Sequence, residues 1–552
     1  MQHHTNGLYP TQHHRQRRDE PVALIYQRDV PIPLTDGTLL RANLYRPIDG
    51  QPAPVIMTFG HYGKDTPLAI RNAEHFHGAG GGVFLNWETP DPEYWVPRGY
   101  AVLRVDARGA GASPGHLHPL SAQTARDFYD TIEWAGTQPW STGRVGLLGI
   151  SYYGMSQWAV AALKPPHLAA MIPWEAGSDI YREFLRHGGI LNADFIRMWT
   201  ANAAATQHDG LPDAPLTSSE RQHLRTDVYD AAKAHPLNDD FYEQWIPDLA
   251  DIEVPFVSVG NWGNHILHLR GNIEAFTQAR SPHKWLRLIT GDHFMPFYAP
   301  EALALQEAFL GHYLKGHDTG WLDQPPVRVA IRHPDGITWH DDTAWPLSGT
   351  NWIDLHLDAT TMTLRSEQPQ ANGQADFDAP HGGITFTYTA TEATEIIGPL
   401  AVHLHASSTS PDMDLYVVLR HNRSDGTEHA GIDSSGAKTP VLTQGWLRAS
   451  HRATDPTQSL PYKPWHTHDH EQLLTPGDIV ALSIEILPTS LVLEPGDQLI
   501  LDISAHDHPT FMFRMDTDPD DRPTERFDGI YTIHTGPDHP ATLHLPVIPT
   551  ES

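Results

Sequence analysis

The chain of 552 residues contains no cysteine. That absence excludes disulfide scaffolds, iron–sulfur clusters, thiolate zinc sites and a cysteine nucleophile. Basic residues are also scarce, since 37 Lys and Arg stand against 67 Asp and Glu, for a formal net charge of −30. A chain this acidic is poorly suited to binding a phosphate backbone, so we expect no nucleic-acid partner.

Long apolar runs are missing as well. No stretch approaches the length of apolar chain that spans a bilayer, so we expect no membrane association. The start of the chain is polar and lacks the apolar segment of a secretory signal. Residues 1–21 are therefore predicted to form a disordered arm, and a cytoplasmic location is expected. The sequence does not fix the oligomeric state, and a homo-oligomer stays open.

The chain up to residue 324 alternates short apolar runs with helical patterns. Strands alternating with helices form parallel sheets, so residues 22–177 and 251–324 are predicted to be one α/β domain. Residues 178–250 interrupt it with a polar, helical segment that is predicted to form a cap over the sheet. The predicted strands are Val55–Gly60, Tyr100–Asp106, Arg144–Gly149, Leu168–Trp174, Val254–Gly260 and Lys284–Thr290.

After Pro325 the pattern changes to short strands of alternating polarity. Apolar residues recur at every second position in Leu400–Leu404, Val480–Ile486 and Leu499–Ile503, and Pro-Gly-Asp turns separate the later runs. Many alternating strands with few helices are typical of an antiparallel β-sandwich. We therefore predict that residues 325–552 form a sandwich of the jelly-roll, galactose-binding-like type.

The sharpest local motif is Gly149-Ile150-Ser151-Tyr152-Tyr153-Gly154. It lies between a predicted buried strand and a predicted helix, where a tight turn exposes the side chain of a nucleophile. The spacing is one residue longer than the usual Gly-x-Ser-x-Gly. A tight structural turn is the alternative, but the strand–turn–helix context favours Ser151 as a nucleophile.

A serine hydroxyl needs a base that accepts its proton. In a doubly wound hydrolase this base follows the last strand of the sheet. Here the strand Lys284–Thr290 leads into Gly291-Asp292-His293-Phe294. His293 is therefore the predicted general base, although the chain has 37 histidines and an ordinary loop histidine is the alternative.

These motifs resemble those of the cocaine-esterase and X-prolyl dipeptidyl-peptidase family of serine hydrolases, the CocE/NonD type. The resemblance extends over nearly everything after residue 22. It implies an α/β-hydrolase domain, an inserted helical cap, a C-terminal jelly-roll domain, and hydrolysis of esters, amides or peptides through an acyl-enzyme. The residues that carry it are Gly149–Gly154, Asp106–Gly115, Ser178–Arg182, Gly260–Trp262, His293 and Ser407–Asp414.

The resemblance also implies an oxyanion hole. One donor is expected to be the backbone N–H of Tyr152, which follows the nucleophile at a helix start. The family's second donor is a tyrosine hydroxyl after an early strand, and Tyr62 in Gly60-His61-Tyr62-Gly63-Lys64 matches that position. A loop aromatic with no catalytic part is the alternative for Tyr62.

The third member of the triad departs from the family pattern. The family places an aspartate just after the strand that corresponds to Val254–Gly260, but Asn264 stands there in this chain. An asparagine does not stabilise an imidazolium as a carboxylate does. Glu175, which follows the strand Leu168–Trp174 at the same edge of the sheet, is the predicted replacement, by analogy with other hydrolases. Substrate binding or a salt bridge is the alternative for Glu175.

Two other function classes stay in view. A metalloenzyme is suggested by His466–His470 and His506–His508, but the histidines are spread over both halves, so we expect no metal and no cofactor. A catalytically weak or inactive pseudo-hydrolase, acting as a binding or scaffold protein, is suggested by Asn264. The substrate of the predicted serine hydrolase is a small ester, an amide or a short peptide, and the sequence does not choose among them.

Overall fold

The structure is a computed structural model that describes residues 22–72, 78–511 and 513–549. The arm predicted for residues 1–21 lies outside these ranges. Two strand-rich domains follow each other along the chain, and each is built on one large sheet.

Ten strands of the described chain form the first sheet, in the order β1-β2-β4-β3-β5-β6-β7-β8-β9-β10. The pairs from β4 through β3, β5, β6, β7 and β8 to β9 are parallel, whereas β1, β2 and β10 are joined by antiparallel pairing. The strands are β1 Ile25–Pro33, β2 Leu39–Arg46, β3 Ala53–Gly60, β4 Ala101–Asp106, β5 Ser141–Ile150, β6 Leu168–Trp174, β7 Phe256–Asn261, β8 Lys284–Ile289, β9 Val327–His333 and β10 Gly336–Asp342.

The central strands are apolar on both faces because helices cover both. Along β3, Val55 and Met57 belong to the core on one side of the sheet, and Ile56 belongs to the core on the other side. This alternation follows from the two-residue period of a strand. Parallel strands covered on both faces read as continuous apolar runs, which is why the sequence revealed them.

The helices are distributed over both faces of this sheet and in the connections. On one face α3 contributes Phe128 and Ile132 to the core, and on the other α11 contributes Phe309 and Leu310. The α-helices are α1 Leu68–Arg71, α2 Pro92–Trp95, α3 Ala122–Gly136, α4 Tyr152–Ala161, α5 Ala193–Ala205, α6 Ser218–His223, α7 Val228–Ala234, α8 Asp240–Glu243, α9 Arg270–Gln278, α10 Met295–Tyr298, α11 Pro300–Lys315 and α12 Thr524–Phe527.

The segment between β6 and β7 holds α5 to α8 and two hairpins of two-residue strands. Side-chain caps fix the starts of the last three helices: Thr217 forms a capping box with Glu220, and Asp227 and Asp239 accept backbone N–H groups. Helix α5 packs Phe195 and Trp199 into the core that lies against the first sheet. The expectation that residues 178–250 form a cap concerns this segment and stays a prediction.

The first sheet extends past the boundary predicted at residue 325. Strand β9 pairs in parallel with β8, and β10 returns antiparallel to β9 after a two-residue turn. Both strands therefore extend the first sheet, and the start of the second domain at residue 325 stays a prediction. An alternating hairpin has the same pattern in either sheet, so only its long-range partner distinguishes the two assignments.

The second sheet contains eleven strands of the described chain, in the order β13-β20-β15-β18-β17-β16-β19-β14-β12-β11-β21. Strand β21 also pairs with β15, which closes the sheet on itself. The strands are β11 Asn351–Asp358, β12 Thr363–Arg365, β13 Gly373–Ala379, β14 Gly383–Thr389, β15 Thr394–Ser408, β16 Asp414–Asn422, β17 Thr443–Arg448, β18 Val480–Leu493, β19 Gln498–Ser504, β20 Gly529–Thr535 and β21 Thr542–Ile548.

The interior of the closed sheet is filled by the alternating residues that the sequence pointed out, such as Val402, Ile484 and Leu501. A strand-rich C-terminal domain is thus confirmed, and its jelly-roll topology stays a prediction. The two domains share a further apolar cluster in which Trp262 and Ile331 of the first meet Ile397 and Val492 of the second.

Candidate active site

Ser151 occupies a strained turn between β5 and α4. Its φ and ψ are 58° and −123°, a combination that a non-glycine residue adopts only when its surroundings enforce it. Two hydrogen bonds hold Ser151 in this conformation, since its N–H donates to the carbonyls of Trp174 (3.0 Å) and Glu175 (3.1 Å). The turn is therefore locked to the end of the neighbouring strand β6.

Two glycines allow this turn to pack closely. A Cβ at Gly154 would lie 2.9 Å from both the Ala176 Cβ and the Trp174 carbonyl oxygen. A Cβ at Gly149 would lie 2.5 Å from the Tyr153 Cβ. The second glycine stands one residue later than in the usual motif, at the position where α4 touches the end of β6.

Glu175 follows β6 directly and is fully buried. Its backbone N–H donates to the Val259 carbonyl of β7 at 2.7 Å. Its carboxylate accepts hydrogen bonds from the side-chain amides of Asn261 (3.0 Å) and Asn264 (3.0 Å). Asn264 thus stands beside the carboxylate as a hydrogen-bond donor to it.

His293 lies between two buried carboxylates. Its Nδ1 is 2.7 Å from the Glu175 Oε2, and its Nε2 is 3.1 Å from the Glu88 Oε1. Burial alone lowers the pKa of His293, but the two carboxylates outweigh burial and raise the pKa to about 10. The imidazole is therefore held as a cation at neutral pH when no substrate is present.

Backbone strain is concentrated at this place. Positive φ values occur at Glu88 (59°), Ser151 (58°) and Glu175 (45°), none of which is glycine. Such conformations cost about 1–3 kcal/mol each and cluster at functional sites. The Glu88 carbonyl also accepts the Ile150 N–H at 3.2 Å, so the loop that carries Glu88 is tied to the residue before the nucleophile.

The hydroxyl of Ser151 has a different partner from the one expected. Its Oγ lies 3.3 Å from the Nε2 of His268, a residue in the turn before α9. Burial, with a smaller effect of the neighbouring His293, holds the pKa of His268 well below its usual value. The His268 and His293 rings are nearly parallel, with centroids 5.6 Å apart. His293 therefore approaches the nucleophile but does not bond to it among the described contacts.

The two expected oxyanion donors are Tyr152, which directly follows the nucleophile, and Tyr62, whose ring lies 6.1 Å from that of Tyr152. Tyr152 is the first residue of α4, so its N–H has no acceptor within the helix. The hydroxyl oxygen of Tyr62 accepts a hydrogen bond from the Trp199 Nε1 at 3.0 Å, which leaves its proton available to another acceptor. Burial and the charge of Glu88 raise the pKa of Tyr62 well above its usual value, so it stays protonated.

The structure brings together all five residues that the sequence pointed out. Glu175 and His293 are directly bonded, Ser151 is bonded to the backbone of Glu175, and the Tyr62 and Tyr152 rings are 6.1 Å apart. The sequence reasoning missed Glu88 and His268. No local pattern singled out either residue, since both reach the site through the path of a loop or turn.

Among the residues that the structure describes, no group of three or more His, Asp or Glu side chains is arranged to hold a metal ion. None of the helices in this part of the chain has both the length and the apolar character that crossing a bilayer requires.

Two family models match the chain. The model of the X-Pro dipeptidyl-peptidase (S15 family) matches residues 36–295, and that of the X-Pro dipeptidyl-peptidase C-terminal non-catalytic domain matches residues 319–544. Among relatives, the cocaine esterase of Rhodococcus sp. (strain MB1 Bresler) is 24% identical over 608 residues, which covers 94% of this chain and 98% of that protein.

Solved structures extend this likeness to the whole fold. An α-amino acid ester hydrolase shares the fold at 16% identity, with a TM-score of 0.67 over 96% of this chain and 98% of that one. The crystal structure of a CocE/NonD family hydrolase from Staphylococcus aureus is 32% identical, with a TM-score of 0.87 over 95% of this chain and 94% of that one. With both domains matched over nearly their full length, the chain belongs to the CocE/NonD family and is a serine hydrolase.

Proposed function

We propose that the chain hydrolyses small acyl esters through an acyl-enzyme on Ser151, with His293 as general base and Glu175 as the acid of the triad. The observation that carries the proposal is the bond of 2.7 Å between His293 Nδ1 and Glu175 Oε2 beside a serine held at φ 58°. A buried carboxylate that orients an imidazole and stabilises its cation is what serine activation requires.

In the acylation step the Ser151 hydroxyl attacks the substrate carbonyl while its proton passes to the Nε2 of His293. In the absence of substrate this nitrogen faces Glu88 at 3.1 Å, so the imidazolium must first give its Nε2 proton to water and turn this nitrogen towards Ser151. The negative oxygen of the tetrahedral intermediate is stabilised by the Tyr152 N–H and the Tyr62 hydroxyl. The leaving alcohol then takes the proton from His293.

In the deacylation step a water molecule attacks the acyl carbon and gives its proton to His293. The bond between the acyl carbon and Ser151 Oγ then breaks, and Oγ takes the proton back, which releases a carboxylic acid. In both steps the hydrogen bonds from Asn261 and Asn264 hold the Glu175 carboxylate in place beside His293.

Three inferences about the architecture accompany this assignment of the triad. We infer that the first sheet with its helices is an α/β-hydrolase core, that residues 178–250 cap its carboxyl edge, and that the closed sheet of the second domain is a jelly roll. The predicted cap contacts the site directly, since Trp199 of α5 donates to the Tyr62 hydroxyl. The substrate pocket is expected between α5 and the nucleophile.

One observation favours a second candidate, the cleavage of short peptides or amides that carry a free amine. The Oε2 of Glu88 is buried and has no hydrogen-bond partner among the described residues. An unpaired oxygen on the carboxylate that contacts His293 is suited to a substrate ammonium group. On this reading Glu88 contributes to substrate binding and the same triad cleaves the amide.

A substrate panel separates the two candidates. p-Nitrophenyl esters of increasing chain length are compared with Xaa-Pro-p-nitroanilides at equal concentration, on the unmodified protein and on Glu88→Gln. We expect faster turnover of the esters and little change in their KM in Glu88→Gln. If the unmodified protein hydrolyses only the anilides, and Glu88→Gln loses this activity, the chain is a peptidase instead.

Covalent labelling provides the control for the nucleophile. A fluorophosphonate is expected to label the unmodified protein once and to leave Ser151→Ala unlabelled. Equal labelling of Ser151→Ala would contradict the assignment of the nucleophile, whatever the substrate panel shows.

A further inference from the structure

His268 is a second histidine at the nucleophile, and the mechanism above does not use it. Its Nε2 lies 3.3 Å from the Ser151 Oγ, and the ring is fully buried beside that of His293. Unlike His293, it has no carboxylate among its described hydrogen-bond partners. Its second partner is the backbone N–H of Gly177, which donates to Nδ1 at 3.3 Å.

The Gly177 contact determines where the proton of His268 lies. Because Nδ1 accepts a hydrogen bond, the proton of the neutral ring must be on Nε2. Nε2 then has no lone pair to offer, so it donates to the Ser151 Oγ. The two histidines consequently have opposite relations to the same oxygen, since in the proposed mechanism His293 takes its proton after turning away from Glu88, whereas His268 donates a hydrogen bond to it.

We propose that His268 is a further catalytic residue, a fixed hydrogen-bond donor to the Ser151 Oγ that stabilises this oxygen when it leaves the acyl carbon. The inference rests on the proposed function, in which Ser151 carries the acyl group. It assigns the hydrolase a second histidine whose effect falls mainly on deacylation.

The chemistry of the second step explains this bias. As the bond between Oγ and the acyl carbon breaks, its electron pair moves onto Oγ and negative charge grows there until His293 returns the proton. A hydrogen bond from Nε2–H becomes stronger as this charge grows. His268 keeps its own proton, so no additional donor or acceptor is needed to balance the step.

The first step gains less from this donor. There Oγ is the attacking atom, and a hydrogen bond to its lone pair holds it in position but also reduces its nucleophilicity. The two effects oppose each other in acylation, whereas in deacylation the donor acts in one direction only.

The test separates the two steps with p-nitrophenyl acetate under pre-steady-state conditions. His268→Leu removes the donor, and His268→Gln restores an N–H near the position of Nε2. The matched control is His265→Gln, in the same turn, whose ring bonds to the Trp262 carbonyl instead. We expect His268→Leu to slow deacylation by about 10- to 100-fold with a smaller effect on acylation, so that acyl-enzyme accumulates and is seen by intact-protein mass spectrometry.

We further expect His268→Gln to recover part of the deacylation rate, and His265→Gln to behave like the unmodified protein. Equal losses in both steps, or no accumulation of acyl-enzyme in either His268 variant, would overturn the proposal. If His268→Leu does not fold, His268→Asn replaces it, because its shorter amide does not reach Oγ. The ratio of the deacylation to the acylation rate constant is then expected to be lower in His268→Asn than in His268→Gln, and equal ratios would overturn the proposal. Absent fluorophosphonate labelling of the unmodified protein would instead contradict the proposed function itself.

Discussion

Two buried histidine–carboxylate pairs, one in each domain, differ in what surrounds them. In the first domain His293 meets Glu175 at 2.7 Å and Glu88 at 3.1 Å, and its pKa is raised to about 10. In the second domain His421 meets Asp497 at 2.8 Å, but its other ring nitrogen faces His429 at 2.9 Å. Burial outweighs the single carboxylate there and lowers the pKa of His421.

The comparison shows that a carboxylate partner alone does not make a buried histidine basic. His429 adds to the same result, because burial and nearby Arg332 lower its pKa to about 3. Two carboxylates around one imidazole outweigh burial, whereas one carboxylate and a second imidazole do not. The pair in the second domain is accordingly expected to stabilise the fold, and the pair in the first to support chemistry.

Removing the carboxylate of the first pair is expected to have the largest effect. In Glu175→Gln we expect turnover of an activated ester to fall by about 10³- to 10⁴-fold, because the imidazolium loses the buried carboxylate that orients it at Nδ1. The matched change in the second domain, Asp497→Asn, is expected to leave turnover unchanged. Steady-state kinetics on variants with native circular dichroism spectra measures both.

Asn264→Ala provides the internal control for Glu175→Gln. It removes one donor to Glu175 but leaves those from Asn261 and His293, so we expect a loss of less than about tenfold. A loss in Asn264→Ala as large as that in Glu175→Gln would contradict the placement of the acid at Glu175.

The second carboxylate around His293 is expected to set the pH dependence. A general base works only when unprotonated, so activity rises as pH increases through the pKa of His293, about 10 in the absence of substrate. Glu88→Gln removes one of the charges that raise this pKa, and we expect the rising limb of kcat/KM to move to lower pH by about one unit.

The control for this shift is Glu133→Gln, which removes a carboxylate 2.8 Å from His167, away from the site. Its pH profile is expected to match that of the unmodified protein. If the rising limb of kcat/KM lies at the same pH in Glu88→Gln as in the unmodified protein, Glu88 does not raise the pKa of His293 in solution.

The smallest effect is expected from the pair in the second domain. His421→Leu removes the ring that bonds to Asp497, and we expect the free energy of unfolding to fall by about 1–3 kcal/mol. Turnover should not change. Denaturant unfolding measures the stability, and ester hydrolysis measures the turnover. A loss of turnover without a loss of stability would show that the second domain affects the chemistry through this pair.

The sequence placed Ser151, Glu175 and His293 together for one physical reason. All three follow strands of one parallel sheet, and the carboxyl ends of such strands meet at a common edge. The structure shows this in the register, where Ile150 pairs with Trp174 and Trp174 pairs with Val259. Strand order and chain position were therefore enough to group these residues.

Glu88 and His268 were beyond this reasoning. Glu88 reaches the site through a loop whose course is set by contacts such as that between its carbonyl and Ile150. His268 is one of 37 histidines, and its proposed role as a donor to Ser151 depends on the hydrogen bond from the Gly177 N–H, ninety-one residues earlier in the chain. Likewise β9 and β10 have the same alternation as the strands of the second sheet, and only the pairing of β9 with β8 and of β10 with β9 places them in the first sheet.

One contact at the site comes from the second domain. The backbone N–H of His293 donates to the carbonyl of Ser434 at 2.9 Å, in the hairpin formed by Gly431–Ile432 and Lys438–Thr439. The domain that the family model describes as non-catalytic thus anchors the main chain of the proposed base. A chimera that combines the first domain of this chain with the second domain of a relative would separate His293 from this anchor. The two domains are therefore expected to be inherited and engineered as one unit.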